Sequence, residues 1–272
     1  MDERILLIGF GNMGQALVRG WLARGIQPAR LGIVDPAPAA LAAAAELGIV
    51  AGASLDAVRF DDGAPDVVLL AVKPQQLDAV VRTCAAPLGP APLYLSIAAG
   101  KPISSIASAL GPDAKVVRAM PNTPAAVGRG MTVMVASPSV DARGQAVADE
   151  LMSAVGTTAW VRDERLMDAV TAVSGSGPAY VFLLIECLAK AGAAAGLDAA
   201  LARTLATATV AGAGAYAEIS GEDPAELRRK VTSPGGTTEA ALRVLMAEDG
   251  LAQLVERAVL AAANRSRELS GT

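Results

Sequence analysis

Four consecutive apolar residues, Ile5-Leu6-Leu7-Ile8, follow a short polar start, as expected for a strand buried on both faces. Comparable runs recur at 31–34, 67–72, 93–98, 116–120, 131–135 and 158–161. Between them, apolar positions fall three and four apart. In 15–24 they are Leu17, Val18, Trp21 and Leu22, and helices are expected there and over 37–47, 75–85, 103–110 and 140–154. This alternation predicts an α/β fold with a doubly wound, mostly parallel sheet. From Asp163 onward strand patterns stop. Alanine-rich segments at 163–172, 178–195, 198–218, 223–231 and 237–268, broken by short Gly/Ser/Pro loops, predict an all-helical second domain. The expected division is 1–162 and 163–272.

The first strand runs directly into Gly9-Phe10-Gly11-Asn12-Met13-Gly14 and then into a helix. That order is the dinucleotide-binding fingerprint. Gly9 permits the tight turn, Gly11 lets backbone approach a pyrophosphate, and Gly14 lets the helix pack close to the strand. The second strand ends in Asp35, placed to accept hydrogen bonds from the adenosine ribose. A carboxylate there repels the 2′-phosphate of NADP, and Pro36-Ala37-Pro38-Ala39-Ala40 brings no compensating cation. The expectation is NAD(P)H as cofactor, with a lean towards NADH.

Composition narrows the chemistry. The 272 residues contain no histidine, which excludes a histidine acid/base, a Ser-His-Asp triad and most zinc sites; no metal is expected. Catalysis falls to a cofactor, hydroxyls, carboxylates, lysines or water. Hydrophobic residues make up 53% and aromatics only 3%, so the core must be built from Ala, Val, Leu and Ile. A net charge of −4 with scattered basic residues gives no nucleic-acid footprint. The uncharged stretch 83–100 contains Pro87, Pro90 and Pro92 and is not a membrane helix. Met1-Asp2-Glu3-Arg4 lacks the basic region of a signal peptide, and Cys84 and Cys187 read as free thiols. A cytoplasmic protein, free of membrane, is expected. The long helices of small apolar residues would leave a large apolar surface on a lone copy, which points to a homodimer.

In an open α/β sheet, ligands sit at the carboxyl ends of the strands. Three loops expected there are Ala71-Val72-Lys73-Pro74, Ala98-Ala99-Gly100 and Met120-Pro121-Asn122-Thr123-Pro124. Lys73 either reaches a cofactor phosphate or ribose or is simply solvated. Ala98 and Ala99 allow close approach of a nicotinamide, and the amide of Asn122 is a candidate to face its ring. Val173-Ser174-Gly175-Ser176-Gly177-Pro178 reads as a helix start, with glycines that also admit a ligand. Val231-Thr232-Ser233-Pro234-Gly235-Gly236-Thr237-Thr238 reads as an ordinary capped helix start or as an anion-binding loop presenting main-chain N–H groups.

Taken in order, GFGNMG (9–14), AVKP (71–74), AAG (98–100), MPNTP (120–124), SGSGPAY (174–180) and VTSPGGTT (231–238) resemble the pyrroline-5-carboxylate reductase family over essentially the whole chain. The resemblance implies a Rossmann domain followed by a helical dimerisation domain, with some members assembling dimers into decamers. It implies reduction of a cyclic imino acid, L-1-pyrroline-5-carboxylate, to L-proline by NAD(P)H. It further implies that residues 233–238 form the substrate loop, facing the partner subunit's Rossmann domain. There the N–H groups of Ser233, Gly236 and Thr237, with Gly235 in the turn, hold the carboxylate, and Thr238 hydrogen-bonds the ring nitrogen. Many members prefer NADPH and carry a small hydroxyl residue near the end of the second strand; Asp35 departs from that pattern.

Two rivals compete. A β-hydroxyacid dehydrogenase shares the glycine-rich start but needs a helix lysine near its substrate. Lys190 is the only lysine between Lys115 and Lys230. A non-catalytic dinucleotide-binding protein would leave the 231–238 loop unexplained.

Overall fold

The computed structural model describes residues 2–61 and 63–270, of which Ser270 is described in its backbone alone. Chain order is β1 (Ile5–Ile8), α1 (Asn12–Ala23), β2 (Leu31–Val34), α2 (Pro38–Glu46), β3 (Val50–Gly52) and β4 (Val67–Leu70). Then come α3 (Pro74–Leu88), β5 (Leu93–Ser96), α4 (Ile103–Leu110), β6 (Lys115–Met120), β7 (Gly130–Ala136), α5 (Ala142–Ser153) and β8 (Gly156–Trp160). The eight strands form one sheet in the order β3-β2-β1-β4-β5-β6-β7-β8. Every pairing is parallel except β6 with β7. Residues 121–129 are too few for a crossover helix, so β7 returns antiparallel. The sheet is doubly wound about β1, whose neighbours β2 and β4 lie on either side of it.

Successive strand side chains point to opposite faces, and both faces are covered. Ile5 and Leu7 join Leu17, Val18 and Trp21 of α1 and Leu151 of α5. Leu6 and Ile8 join Leu77, Val81 and Cys84 of α3 and Ile106 of α4. That double burial is why the strands read as unbroken apolar runs.

Beyond β8 the chain forms a 3-10 turn (Glu164–Leu166), the short helix α6 (Met167–Val170) and a π turn (Thr171–Gly175). The expected helix over 163–172 is therefore three short pieces. Thr171 Oγ1 donates to the Met167 carbonyl at 2.8 Å, and Met167 is buried against Val133 and Val135. Glu164 Oε1 accepts from buried Arg118 Nη1 at 2.9 Å and from the Ile103 N–H at 2.8 Å. The chain divides into two compact units, one running to Gly175 and resuming at Ala263, the other Ser176–Ala262. Residues 163–175 thus belong with the sheet.

The second unit is helical: α7 (Gly177–Ala194), α8 (Ala199–Ser220), α9 (Pro224–Lys230), α10 (Thr237–Leu245) and the start of α11 (Leu251–Ser270). The expected single helix over 237–268 is two, because Gly250 lies so close to the end of α10 that an added Cβ would stand 2.4 Å from the Leu245 carbonyl oxygen. Helices α7 and α8 pack together where Gly192 meets Ala202. Yet Phe182, Leu183, Leu188, Leu201, Leu205 and Ile219 are exposed. Within Glu164–Ala194 an 18-residue window has a mean hydropathy of 1.5, long and apolar enough to span a bilayer by length and composition.

Candidate functional site

The glycine-rich turn after β1 is shaped by two close approaches and one open space. Gly9 has φ +96°, and a Cβ there would lie 2.6 Å from the Ala71 carbonyl oxygen. A Cβ on Gly14 would lie 2.6 Å from the Gly9 carbonyl oxygen. Around Gly11, by contrast, nothing stands within 4 Å of an added Cβ. Gly11 is the N-cap of α1, with no side-chain cap and no acidic residue in the first turn. An uncapped, positive helix start beside open space suits a pyrophosphate. Asn12 is exposed at the first position of α1, while Met13 packs inward and Phe10 is buried in the core.

The turn is tied to both neighbouring strands. The Gly9 N–H donates to the Val34 carbonyl at 2.8 Å, and the Ala71 N–H donates to the Ile8 carbonyl at 2.8 Å. Asp35, at the end of β2, accepts from the Phe10 N–H at 2.7 Å through Oδ2 and from the Ala37 N–H at 2.9 Å through Oδ1. Its carboxylate is held by main-chain donors on both oxygens.

A cavity of about 1170 Å³ opens here, bordered by Gly9, Gly11, Asp35, Ala71, Val72 and Lys73. Its place, outside the carboxyl ends of β1, β2 and β4, is the topological switch point where an α/β sheet takes its ligand. Volume, glycine turn and helix start fit a dinucleotide. Lys73 is exposed at the N-cap of α3, and Pro74 occupies the first position of that helix. Ser54 and Arg59 also line the cavity and escaped the sequence reading. They follow β3, a three-residue strand too short to show a pattern.

Ala98, Ala99 and Asn122 lie outside this cavity. Ala98 is buried and Ala99 exposed. The Asn122 amide is occupied structurally: Nδ2 donates to the Ser174 carbonyl at 3.1 Å, and Oδ1 accepts from the Met131 N–H at 2.9 Å. It clamps the loop after β6 to the π turn. Gly175 belongs to the same junction, since a Cβ there would lie 2.4 Å from Met120 Cε.

In the helical unit, residues 233–238 form a tight turn into α10. Gly235 has φ +72°, and Gly236 is the N-cap. The Gly236 N–H donates to the Ser233 carbonyl at 3.0 Å, and the Gly235 N–H donates to Glu239 Oε2 at 2.7 Å. The Gly236 N–H is therefore spent inside the turn. The N–H groups of Ser233, Thr237 and Thr238 have no protein acceptor among the described residues. Thr238 is half-buried in the first turn.

Residues 164–269 match the family model described as pyrroline-5-carboxylate reductase dimerisation, and residues 4–100 match that for NADP oxidoreductase, coenzyme F420-dependent. The chain is 45% identical to the pyrroline-5-carboxylate reductase of Pseudomonas aeruginosa, over 98% of this chain and 97% of that one. Its fold is similar to a pyrroline-5-carboxylate reductase from Coxiella burnetii, with TM-score 0.93, 37% identity and all of both chains covered. It is also similar to the Plasmodium falciparum pyrroline carboxylate reductase with NADP bound, with TM-score 0.84, 28% identity and 99% and 98% of the two chains covered.

Proposed function

The chain belongs to the pyrroline-5-carboxylate reductase family, and from that premise we propose how its own residues reduce L-1-pyrroline-5-carboxylate to L-proline with NAD(P)H. The observation that supports the substrate site best is the turn into α10, where three main-chain N–H groups stand open beside the Thr238 side chain. A small ring carboxylate is the ligand such a turn accepts.

Bound NAD(P)H supplies the hydride for the imine carbon. Gly9, Gly11 and Gly14 admit its pyrophosphate to the start of α1, and Asp35 receives the ribose hydroxyls. Because Asp35 is tied to Phe10 and Ala37, it cannot swing away from a 2′-phosphate, so the proposed preference is NADH. The N–H groups of Ser233 and Thr237 grip the carboxylate. Gly235 and Gly236 give the turn its shape rather than the grip. The Thr238 hydroxyl hydrogen-bonds the ring nitrogen, which takes its proton from solvent. No histidine is needed: the protein contributes mainly orientation of two reactants.

The exposed apolar face of α7 and α8 is assigned to a homodimer, which also covers the long apolar run ending at Ala194. In that dimer the substrate loop serves the partner's dinucleotide unit. A cytoplasmic place, free of membrane and nucleic acid, completes the reading.

The test is NADH oxidation with pyrroline-5-carboxylate, by wild type and by Thr238→Ala. The variant is expected to lose roughly tenfold or more in kcat/KM, about 1.4 kcal/mol of transition-state stabilisation. Unchanged kcat/KM would remove Thr238 from its role. Turnover of 3-hydroxyacids in place of the imine would favour a β-hydroxyacid dehydrogenase.

A further inference from the structure

We propose that Glu239 is a positioning residue for the ring acid: its carboxylate selects which amides of the 233–238 turn remain open to the substrate. The inference rests on the assignment of that turn as the substrate site. Glu239 lies on the first turn of α10, after Gly236, Thr237 and Thr238. Its Oε2 reaches back to the Gly235 N–H at 2.7 Å. Gly235 has φ +72°, the left-handed region that favours glycine. Pro234 has no N–H, and the Gly236 N–H is committed to the Ser233 carbonyl. With Gly235 bound by Glu239, the donors left to a ligand are those of Ser233, Thr237 and Thr238.

Removing the carboxylate sets the Gly235 N–H free and unlatches the turn from the helix. The ring acid then meets a mobile loop with a fourth, competing donor, and it must order that loop itself on binding. A carboxamide at the same position still accepts from the Gly235 N–H, so the latch needs an oxygen acceptor and not a charge.

Two readouts test this on the full-length enzyme: steady-state kinetics and calorimetric binding of L-proline to enzyme saturated with NAD⁺. Glu239→Ala is expected to raise KM for pyrroline-5-carboxylate and Kd for L-proline by about tenfold, with kcat and the KM for NADH within about twofold of wild type. Glu239→Gln is expected to restore both constants to within about threefold of wild type. A Glu239→Ala enzyme that binds L-proline as wild type does, while Thr238→Ala is impaired, overturns the positioning role and leaves the site standing. If Glu239→Ala and Thr238→Ala both bind and reduce as wild type, the turn is not the substrate site. A Glu239→Gln enzyme as impaired as Glu239→Ala overturns the latch.

Discussion

The main-chain N–H of Phe10 donates to Asp35 Oδ2 at 2.7 Å, so the acid at the end of β2 also holds the glycine turn after β1. One carboxylate therefore braces the glycine turn, and in the proposed reading it also faces the ribose. Replacing it with Asp35→Ser removes the charge that opposes a 2′-phosphate, while Arg59 in the same cavity offers an attractive one. The ratio of kcat/KM with NADPH to that with NADH is expected to rise at least tenfold, on the order of 1.4 kcal/mol. Wild-type enzyme favouring NADPH tenfold would defeat the assigned preference.

The two outer glycines of GFG should fail differently. Gly11→Ala meets open space, so the fold should keep its Tm while the added methyl blocks the pyrophosphate and NADH binding weakens tenfold or more. Gly9→Ala meets the Ala71 carbonyl and a left-handed backbone, costing about 1–3 kcal/mol of stability as well as cofactor affinity. Fluorescence titration with NADH and a thermal melt separate the two.

Acid should loosen the start of β1. The Arg4 guanidinium pairs with Asp66 at 3.0 Å and holds its carboxyl below the usual carboxylate range. A depressed folded pKa means the stabilisation is complete above the unfolded value of about 3.9 and is lost as pH falls below it. Asp66→Asn should cost up to about 1 kcal/mol at neutral pH, a limit set by solvent screening of a part-exposed pair. Urea melts of the two proteins should converge as pH is lowered through that range. A constant gap between them would reject the ion pair as the cause.

Phe182 on α7 is 58% exposed in one copy, which is unusual for an aromatic on a helix whose neighbours Leu183 and Leu184 are also exposed. If a second copy covers them, Phe182→Asp buries an unpaired charge on assembly. The expected result is a monomer by sedimentation with activity lost. A wild-type protein that sediments as a monomer at micromolar concentration would refute the dimer.

Much of the fold is legible in the sequence itself. Ile5-Leu6-Leu7-Ile8 reads as a doubly covered strand because both its faces are apolar, and Gly9, Gly11 and Gly14 follow at the spacing that strand, turn and helix demand. The turn at residues 233–238 is legible in the sequence from its glycines and threonines, but its hydrogen bonds are not. Gly236 was expected to hold the carboxylate and instead closes the turn on Ser233. Asn122, a candidate to face the ring, has a structural bond that the sequence does not show: it ties Ser174 to Met131. Ser54 and Arg59 went unseen because β3 is too short to declare itself.

The order of residues by itself determined the kind of fold, the dinucleotide turn and the absence of histidine chemistry, since each depends on local pattern or on composition alone. Tertiary structure decided which donors remain free, where segment 163–175 packs and which carboxylate braces which turn. Those outcomes depend on which acceptor each donor meets once the chain is folded, as when the Phe10 N–H finds the carboxylate of Asp35 at the end of the neighbouring strand. No periodicity along the chain records such a meeting.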